Sequence, residues 1–354
     1  MARANATRAG TAAKQIVTVL LGDPRLPDAS KHEASYNAED IANVGKMTAA
    51  IESLGGYTVA TLSDHATVME TLRRDPPEFV LNLCDTGFRN NATLEWHLAC
   101  YLEMLGIPYS GAGPAAMAIC YDKGLVRALA AAHGIAVPDE AYFATPAEAV
   151  VGRFPALIKP NHGDGSVGIT KDAVVRNADE ARRYLDFFAG TLPGRSVLVQ
   201  EYLPGPEYGV GVIGNPETGL RVLPPLAVDF SGLPAGLAPI LSFESKAVPD
   251  SPYWTDIKFH AAKLDPGTAA RLGDIACRLF ARLGLRDYGR FDFRTDAKGT
   301  IKLMEVNPNP AWAWDGKLAM MAGFAGLSYA AMLGLILEAA LRRVGLWREG
   351  PGRK

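Results

Sequence analysis

Cysteine is scarce in this 354-residue chain, and the little there is makes no pattern. Cys84, Cys100, Cys120 and Cys277 form no CxxC and no short metal-ligand spacing, so neither a disulfide framework nor a thiolate metal site organises the fold. They read as small buried hydrophobes in a reducing compartment. The six histidines are scattered and make no HExxH, which leaves no zinc motif. An excess of one charge is also lacking: 36 Lys+Arg against 38 Asp+Glu leave a net −2. That balance excludes a broad basic face for nucleic acid and an acidic tail. The GxxxxGK-Ser/Thr phosphate loop and the Rossmann glycine spacing are both missing, and no internal repeat is visible.

What is plentiful is apolar residues, 48%, and glycine, 36 residues. With 21% charged residues the composition is that of a globular chain, long enough for about two or three domains. Glycine above its usual share of roughly 7% points to tight turns or loops that approach phosphate closely. Residues 318–337 are uncharged and meet the length of about 20 for a membrane span. Their glycines and alanines, with Glu338 directly after, read instead as two buried helices broken at Gly326-Leu327-Ser328. Residues 1–14 carry Arg3, Arg8 and Lys14 and no acid, a weak likeness to a transit peptide. The apolar run that follows is too short for a signal sequence, so this stretch reads as a frayed tail. The expectation is a cytoplasmic protein without a membrane span.

Hydrophobic periodicity divides the chain further. Residues 16–21, 57–62 and 79–83 read as strands, and 40–54, 68–74 and 94–105 as helices, several closed by glycine. Strands alternating with helices imply a parallel sheet covered on both faces, ending near residues 111–114. A helix at 122–133, strands at 156–159 and 197–202 flanking a helix at 178–189, and a strand-rich stretch at 207–228 follow. Residues 229–257 are loop-like, 268–283 helical, 288–307 a hairpin, and the tail helical.

The hairpin carries the chemistry. With Thr295 opposite Thr300 across the turn Asp296-Ala297-Lys298-Gly299, Arg290 falls opposite Glu305 and Asp292 opposite Leu303. Alternation then gathers Arg290, Asp292, Glu305 and Asn307 on one face, and Phe291, Phe293, Met304 and Val306 on the other. Two readings fit the polar face: a magnesium cradle of hard oxygen ligands beside a cation, or a solvated strand face with an Arg290–Glu305 pair. Lys159 ends a strand and precedes a loop with Gly163, Gly165, Ser166 and Gly168, able to bring backbone amides to phosphate or to serve as a plain hairpin. Lys123, Lys246 and Glu207 are individually unremarkable.

Their order is not. Asp122-Lys123, Leu157-Ile158-Lys159-Pro160, the glycine loop, Val199-Gln200-Glu201-Tyr202-Leu203, Gly205-Pro206-Glu207, Glu244-Ser245-Lys246, Tyr288-Gly289-Arg290-Phe291-Asp292 and Glu305-Val306-Asn307 follow one another as in ATP-grasp ligases. The chain resembles D-alanine–D-alanine ligases most, over about residues 105–340. The resemblance implies a Rossmann-like parallel-sheet domain followed by a two-lobed ATP-grasp fold. The divisions expected are a tail at 1–14, an α/β domain at 15–115, a central subdomain at 116–206 and a catalytic subdomain at 207–347. It further implies that Lys123, Lys159, Ser166 and Lys246 contact ATP, that Gln200, Glu201, Tyr202 and Leu203 form the adenine hinge, and that Glu207 holds the ribose. Asp292, Glu305 and Asn307 would hold two magnesium ions, with manganese as an alternative, and Arg290 and Lys246 would serve catalysis. The partners implied are a small carboxylate and an amine, amino acids or peptides, joined through an acyl phosphate. A homodimer is implied only by the same resemblance.

The chain also departs from that family. Gly165 stands where the family has a serine, Ala247 where it has a tyrosine, and Pro310-Ala311-Trp312-Ala313-Trp314 where it has a Pro-Gly turn. Asn82-Leu83-Cys84-Asp85 replaces a His-Gly pair, and Lys31 aligns with the family's N-terminal glutamate. The ATP half is intact and the amino-acid half rewritten. Lys31 is a candidate for a substrate carboxylate, and Trp312, Trp314 and Asp315 for an aromatic or bulky amine. The alternatives to ligation are an ATP-grasp phosphotransferase and a nucleotide-binding protein without turnover.

Overall fold

The computed structural model describes residues 14–163 and 165–348. The N-terminal tail up to residue 13 and Asp164 of the glycine loop lie outside the described residues. Three sheets organise the chain. The first is parallel: β1 (Gln15–Leu20) lies between β2 (Tyr57–Leu62) and β3 (Val80–Asn82). Its strands are short and rich in β-branched residues, and Val17, Val19, Leu20 and Val80 are fully buried, as a sheet covered on both faces requires. Helix Ala38–Ser53 opens with a capping box, in which the Asn37 side chain accepts from the Asp40 amide and the Asp40 carboxylate accepts from the Asn37 amide. Helix Pro114–Tyr121, which the periodicity reading passes over, begins with proline at its first turn.

The second sheet runs β4 (Glu140–Phe143), β7 (Val197–Glu201), β5 (Ala156–Pro160), β6 (Val174–Val175), all antiparallel. The third is built on β8 (Glu207–Asn215), with β9 (Gly219–Val222) and β10 (Leu226–Asp229). It is completed by β11 (Lys258–Ala261), β12 (Tyr288–Thr295) and β13 (Ile301–Asn307). The stretch 229–257 is loop with two short helices, Glu244–Ala247 and Pro252–Thr255. Helix Pro266–Leu283 buries Leu272, Ala276, Leu279 and Phe280 and ends at Gly284 in the left-handed region (φ 67°), which only a glycine adopts cheaply.

The hairpin register differs from the sequence expectation by two residues at its open end. Arg290 pairs with Asn307 and Asp292 with Glu305, while Phe293 pairs with Leu303 and Thr295 with Ile301. A bulge after Asp292 supplies one residue of that shift. The turn supplies the other: the Asp296 carboxylate accepts from the Lys298 and Thr300 amides, and the connection between Thr295 and Ile301 is one residue longer than the one assumed. Because the shift at the open end is two residues, Arg290, Asp292, Glu305 and Asn307 still share a face. Met304 does not stay with the phenylalanines. The bulge turns it toward the polar side, and Leu303, fully buried, takes its place in the core.

The uncharged tail forms two helices, Lys317–Phe324 and Tyr329–Arg343, bent by 104° at their break. Among the described residues no single helix is long and apolar enough to cross a membrane. Lys317–Phe324 lies close over β8 because Gly211 lacks a side chain: a Cβ there would meet Leu318 Cδ1 at 2.8 Å. The sequence Glu207-Tyr208-Gly209-Val210-Gly211 thus presents one carboxylate and then two vacant positions along the face opposite Arg294, Asp292 and Arg290.

Candidate active site

A cleft of about 890 Å³, counted with the solvent at its mouth, opens between the second and third sheets. Lys159 and the glycine loop supply one wall, residues 200–203 the back, and β8, β12 and β13 the other wall. Thirteen residues singled out in the sequence line it together: Lys123, Lys159, Ser166, Gln200, Glu201, Tyr202, Leu203, Glu207, Lys246, Arg290, Asp292, Glu305 and Asn307.

The polar contacts are specific. Arg290 clamps Asp292 with two bonds of 2.9 Å, and Asn307 Nδ2 donates to the same carboxylate at 3.1 Å. Burial pushes the Asp292 carboxyl up, but Arg290 and, at longer range, Lys317 and Lys246 more than offset it and hold the pKa at about 2. Lys123 Nζ bonds Glu305 Oε1 at 2.7 Å and also the Gly163 carbonyl. The expected Arg290–Glu305 pair is therefore not formed: each partner takes a nearer charge. Lys159 Nζ donates to Gln200 Oε1 at 3.1 Å, Gln200 Nε2 donates to Glu140 Oε2 at 2.8 Å, and Arg127 Nε closes the chain on Glu140 at 2.8 Å. Burial first, then the Arg127 charge, holds the Lys159 pKa well below that of an ordinary lysine.

The glycine loop is tied to the opposite side of the cleft. Ser166 stands at φ 60°, between Gly165 and Gly168 in the same region, and its hydroxyl donates to the Leu241 carbonyl at 3.0 Å. The Lys171 amide donates to Glu244 at 3.1 Å, and the Phe243 amide to the Ile169 carbonyl at 2.7 Å. The exposed Lys246 follows on the helix Glu244–Ala247. Glu201 contributes its backbone to the cleft, because its carboxylate turns away to Lys302 and to Arg153 at 3.1 Å.

Asp292, Glu305 and Asn307 fit a magnesium ion shared with phosphate. They offer two carboxylates and an amide oxygen, all hard donors, and Asp292 and Glu305 sit directly opposite one another. No group of three or more His, Cys, Asp or Glu side chains able to hold a metal occurs among the described residues, so protein ligands alone would not complete a cage. Magnesium habitually relies on phosphates and waters for the remainder.

Two charged cavity residues are not singled out in the sequence, Arg294 and Lys317. Arg294 had a signal: it shares parity with Arg290 and Asp292 on one strand. Lys317 had none, since only the close approach of its helix brings it in. Burial lowers the Lys317 pKa, which the nearby Asp292 opposes.

The four substrate candidates separate. Trp312 lines a second, shallow recess, about 190 Å³ counted with the open solvent over it, with Asn82, Leu83, Cys84, Asp85, Glu95, Tyr288, Asn309 and Pro310, and its indole donates to the Leu83 carbonyl at 2.9 Å. Trp314 lies outside both cavities, donating to Asn43 at 3.0 Å under the Lys46 ammonium. Lys31 is paired with Asp40 at 2.8 Å and lines neither cavity. Asp315 is exposed in the turn before Lys317 and lines neither.

Residues 137–338 match the family model described as the D-ala D-ala ligase C-terminus. A D-alanine–D-alanine ligase of Haemophilus influenzae (strain PittEE) is 30% identical over 283 residues, covering 75% of this chain and 89% of the relative. An uncharacterized protein, y4sG, of Sinorhizobium fredii (strain NBRC 101917 / NGR234) is 29% identical over 84% of this chain and 87% of its own length. The crystal structure of the Bacillus anthracis D-alanine–D-alanine ligase complexed with ATP superposes with a TM-score of 0.67 at 21% identity, covering 93% of this chain and 98% of that one. At that identity the superposition carries the fold.

Proposed function

The chain belongs to the D-alanine–D-alanine ligase family, and from that premise we propose that it joins a small carboxylate to an amine other than the D-alanine pair. It is an ATP-dependent ligase that forms an amide bond, with the ATP-grasp fold of its relatives. The observation that carries the altered substrate is spatial. Two of the segments that depart from the family, residues 82–85 and 310–314, meet at the second recess through the Trp312–Leu83 bond. Family membership favours ligation over the phosphotransferase and non-catalytic alternatives.

In the proposed reaction an oxygen of the carboxylate attacks the γ-phosphorus of ATP, the bond to the ADP oxygen breaks, and an acyl phosphate forms. The amine then attacks the acyl carbon, the bond to phosphate breaks, and phosphate and one proton leave. Gln200, Tyr202 and Leu203 hold the adenine, Glu207 the ribose, and Lys123, Lys159, Ser166 and Lys246 the phosphates. Asp292, Glu305 and Asn307 would hold two magnesium ions, with manganese as a substitute, which would supply neutralisation of charge on the transferring phosphoryl group. Arg290 stands beside these ligands, where it steadies negative charge as it develops. We place the substrates among amino acids or short peptides. The divisions near residues 115 and 206, a cytoplasmic location and a homodimer belong to the same reading.

Phosphate release from ATP and magnesium, measured across single and paired D- and L-amino acids beside an Asp292→Asn control, tests it. Release that needs one particular pair and vanishes in the control is the expected result. Release with D-alanine alone at full rate would overturn the altered pocket, and release without any amine would favour phosphotransfer.

A second expectation follows from Lys159. A phosphate beside its ammonium raises the depressed pKa, so nucleotide binding takes up a proton wherever the pH lies between the free and bound values. Calorimetry of ATP binding in buffers of different ionisation enthalpy should show uptake that grows as the pH rises between those two values and disappears in Lys159→Met. Equal heats in all buffers across that range would remove the claim.

A further inference from the structure

Arg294 is 3% exposed and reaches the cleft wall without being one of its phosphate-side cations. Its guanidinium divides its donors among three segments: Nη1 to Glu207 Oε2 at 3.1 Å, Nε to the Gly205 carbonyl at 3.3 Å, and Nη2 to the Pro239 carbonyl. It also lies over the rings of Tyr202, at 5.5 Å, and Phe230, at 5.2 Å. The segments it joins are those that close the cleft around its inner end: the hinge at Tyr202, the entry to β8, and the loop that carries Ile240 and Leu241.

The consequence falls on Glu207. That carboxylate is 4% exposed, and burying a carboxylate without a charged partner is costly. Arg294 supplies the charge through one oxygen only, and no described donor bonds Oε1, on a residue that lines the cleft. A planar guanidinium locked by two carbonyls can set the direction of a carboxylate; a lysine ammonium at the same place could neutralise it but not orient it.

We propose that Arg294 is the positioning residue for nucleotide sugar recognition: by fixing the direction of the Glu207 carboxylate, it sets the discrimination between ribose and deoxyribose nucleotides. The inference rests on the ATP reading above, specifically on Glu207 as the ribose acceptor. It extends that reading to a residue that does not itself touch the nucleotide.

The test is direct binding, by calorimetry on the full chain, of ATP and 2′,3′-dideoxy-ATP to the wild type, Arg294→Met, Arg294→Lys and Glu207→Gln. The wild type is expected to favour ATP about tenfold or more, and the methionine and lysine variants to lose most of that preference through weaker ATP binding alone. Glu207→Gln should lose it too, and the double variant Arg294→Lys with Glu207→Gln should lose no more than either. Equal weakening of both nucleotides, with the preference retained, would assign Arg294 a purely structural role and overturn the proposal. So would a wild type that binds ATP without discrimination. A wild type that binds neither nucleotide overturns the ATP reading itself, and the inference with it. If Arg294→Met does not fold, the lysine and Glu207 variants decide the matter.

Discussion

Asp287→Ala is expected to remove about 3–5 kcal/mol of stability, the largest loss from any single truncation away from the cleft. Asp287 is fully buried, at φ 69°, and its two oxygens accept four bonds. Oδ1 takes Asn215 Nδ2 at 2.9 Å and Arg343 Nε at 2.9 Å; Oδ2 takes the Gly111 amide at 2.8 Å and Arg343 Nη2 at 2.7 Å. One carboxylate thereby fastens the chain leaving the first sheet, the end of β8 and the C-terminal helix. Alanine leaves the Arg343 charge without its partner and the Gly111 and Asn215 donors unsatisfied, and it strains a left-handed backbone that aspartate and asparagine tolerate better. Asp287→Asn keeps the backbone and some of the bonds, so it should lose clearly less. Chemical denaturation of both variants checks this, with nucleotide binding retained at low temperature as the sign of an intact cleft. A loss under about 1 kcal/mol for the alanine variant would show the network to be dispensable.

How much of this was legible beforehand depends on what each feature needs. Strands β1 and β2 and helix Val68–Arg74 are visible because local apolar periodicity and burial coincide there. Strand β4, half of it exposed, carries no such pattern: Arg127 and Gln200 meet the carboxylate of Glu140 on it, and only pairing with β7 defines it. Helix Pro114–Tyr121 was signalled by its proline but hidden by its uniform apolarity, which gives no face to read.

The polar face of the hairpin was legible for a robust reason. Side-chain parity survives any even register shift, so the wrong pairing still gathered the right residues. The bulge was not legible, since it arises from the fit between turn and ladder, and with it went Met304. The polar residues that line the cleft follow from their order along the chain, whereas the partners that hold them do not. Arg290 with Asp292 is a pairing along one strand, Lys123 with Glu305 joins a helix to a strand, and Arg294 with Glu207 joins neighbouring strands. Each sets a cation against a carboxylate that lines the cleft. Lys31, Trp314 and Asp315 lie in segments where the chain departs from the family pattern, and they line neither the cleft nor the recess at Trp312.

Arg290→Met is expected to lower kcat about 10²–10³-fold, the cost of removing one preorganised charge from a transition state that accumulates negative charge. The same change has a second signature that a lost catalytic cation alone would not give. Asp292 is 7% exposed, and burial alone would raise its carboxyl above the ordinary value. Arg290 is the largest influence holding it down to about 2; Lys317 and Lys246 act from further away. Without Arg290 the carboxyl therefore protonates at higher pH, and the acid limb of the kcat profile moves upward. The stability that ionised Asp292 contributes follows the same sign: it is present above the unfolded value of 3.8 and lost as the pH falls toward 2 in the wild type. In the variant that loss begins earlier. Arg290→Lys, which keeps a charge but not the bidentate clamp, should restore part of the acid limb and less of kcat. The pH profiles of phosphate release for the three proteins decide between the two roles. A methionine variant within threefold of the wild type in kcat would sink the catalytic assignment. An unmoved acid limb would show that the lysines alone keep Asp292 ionised.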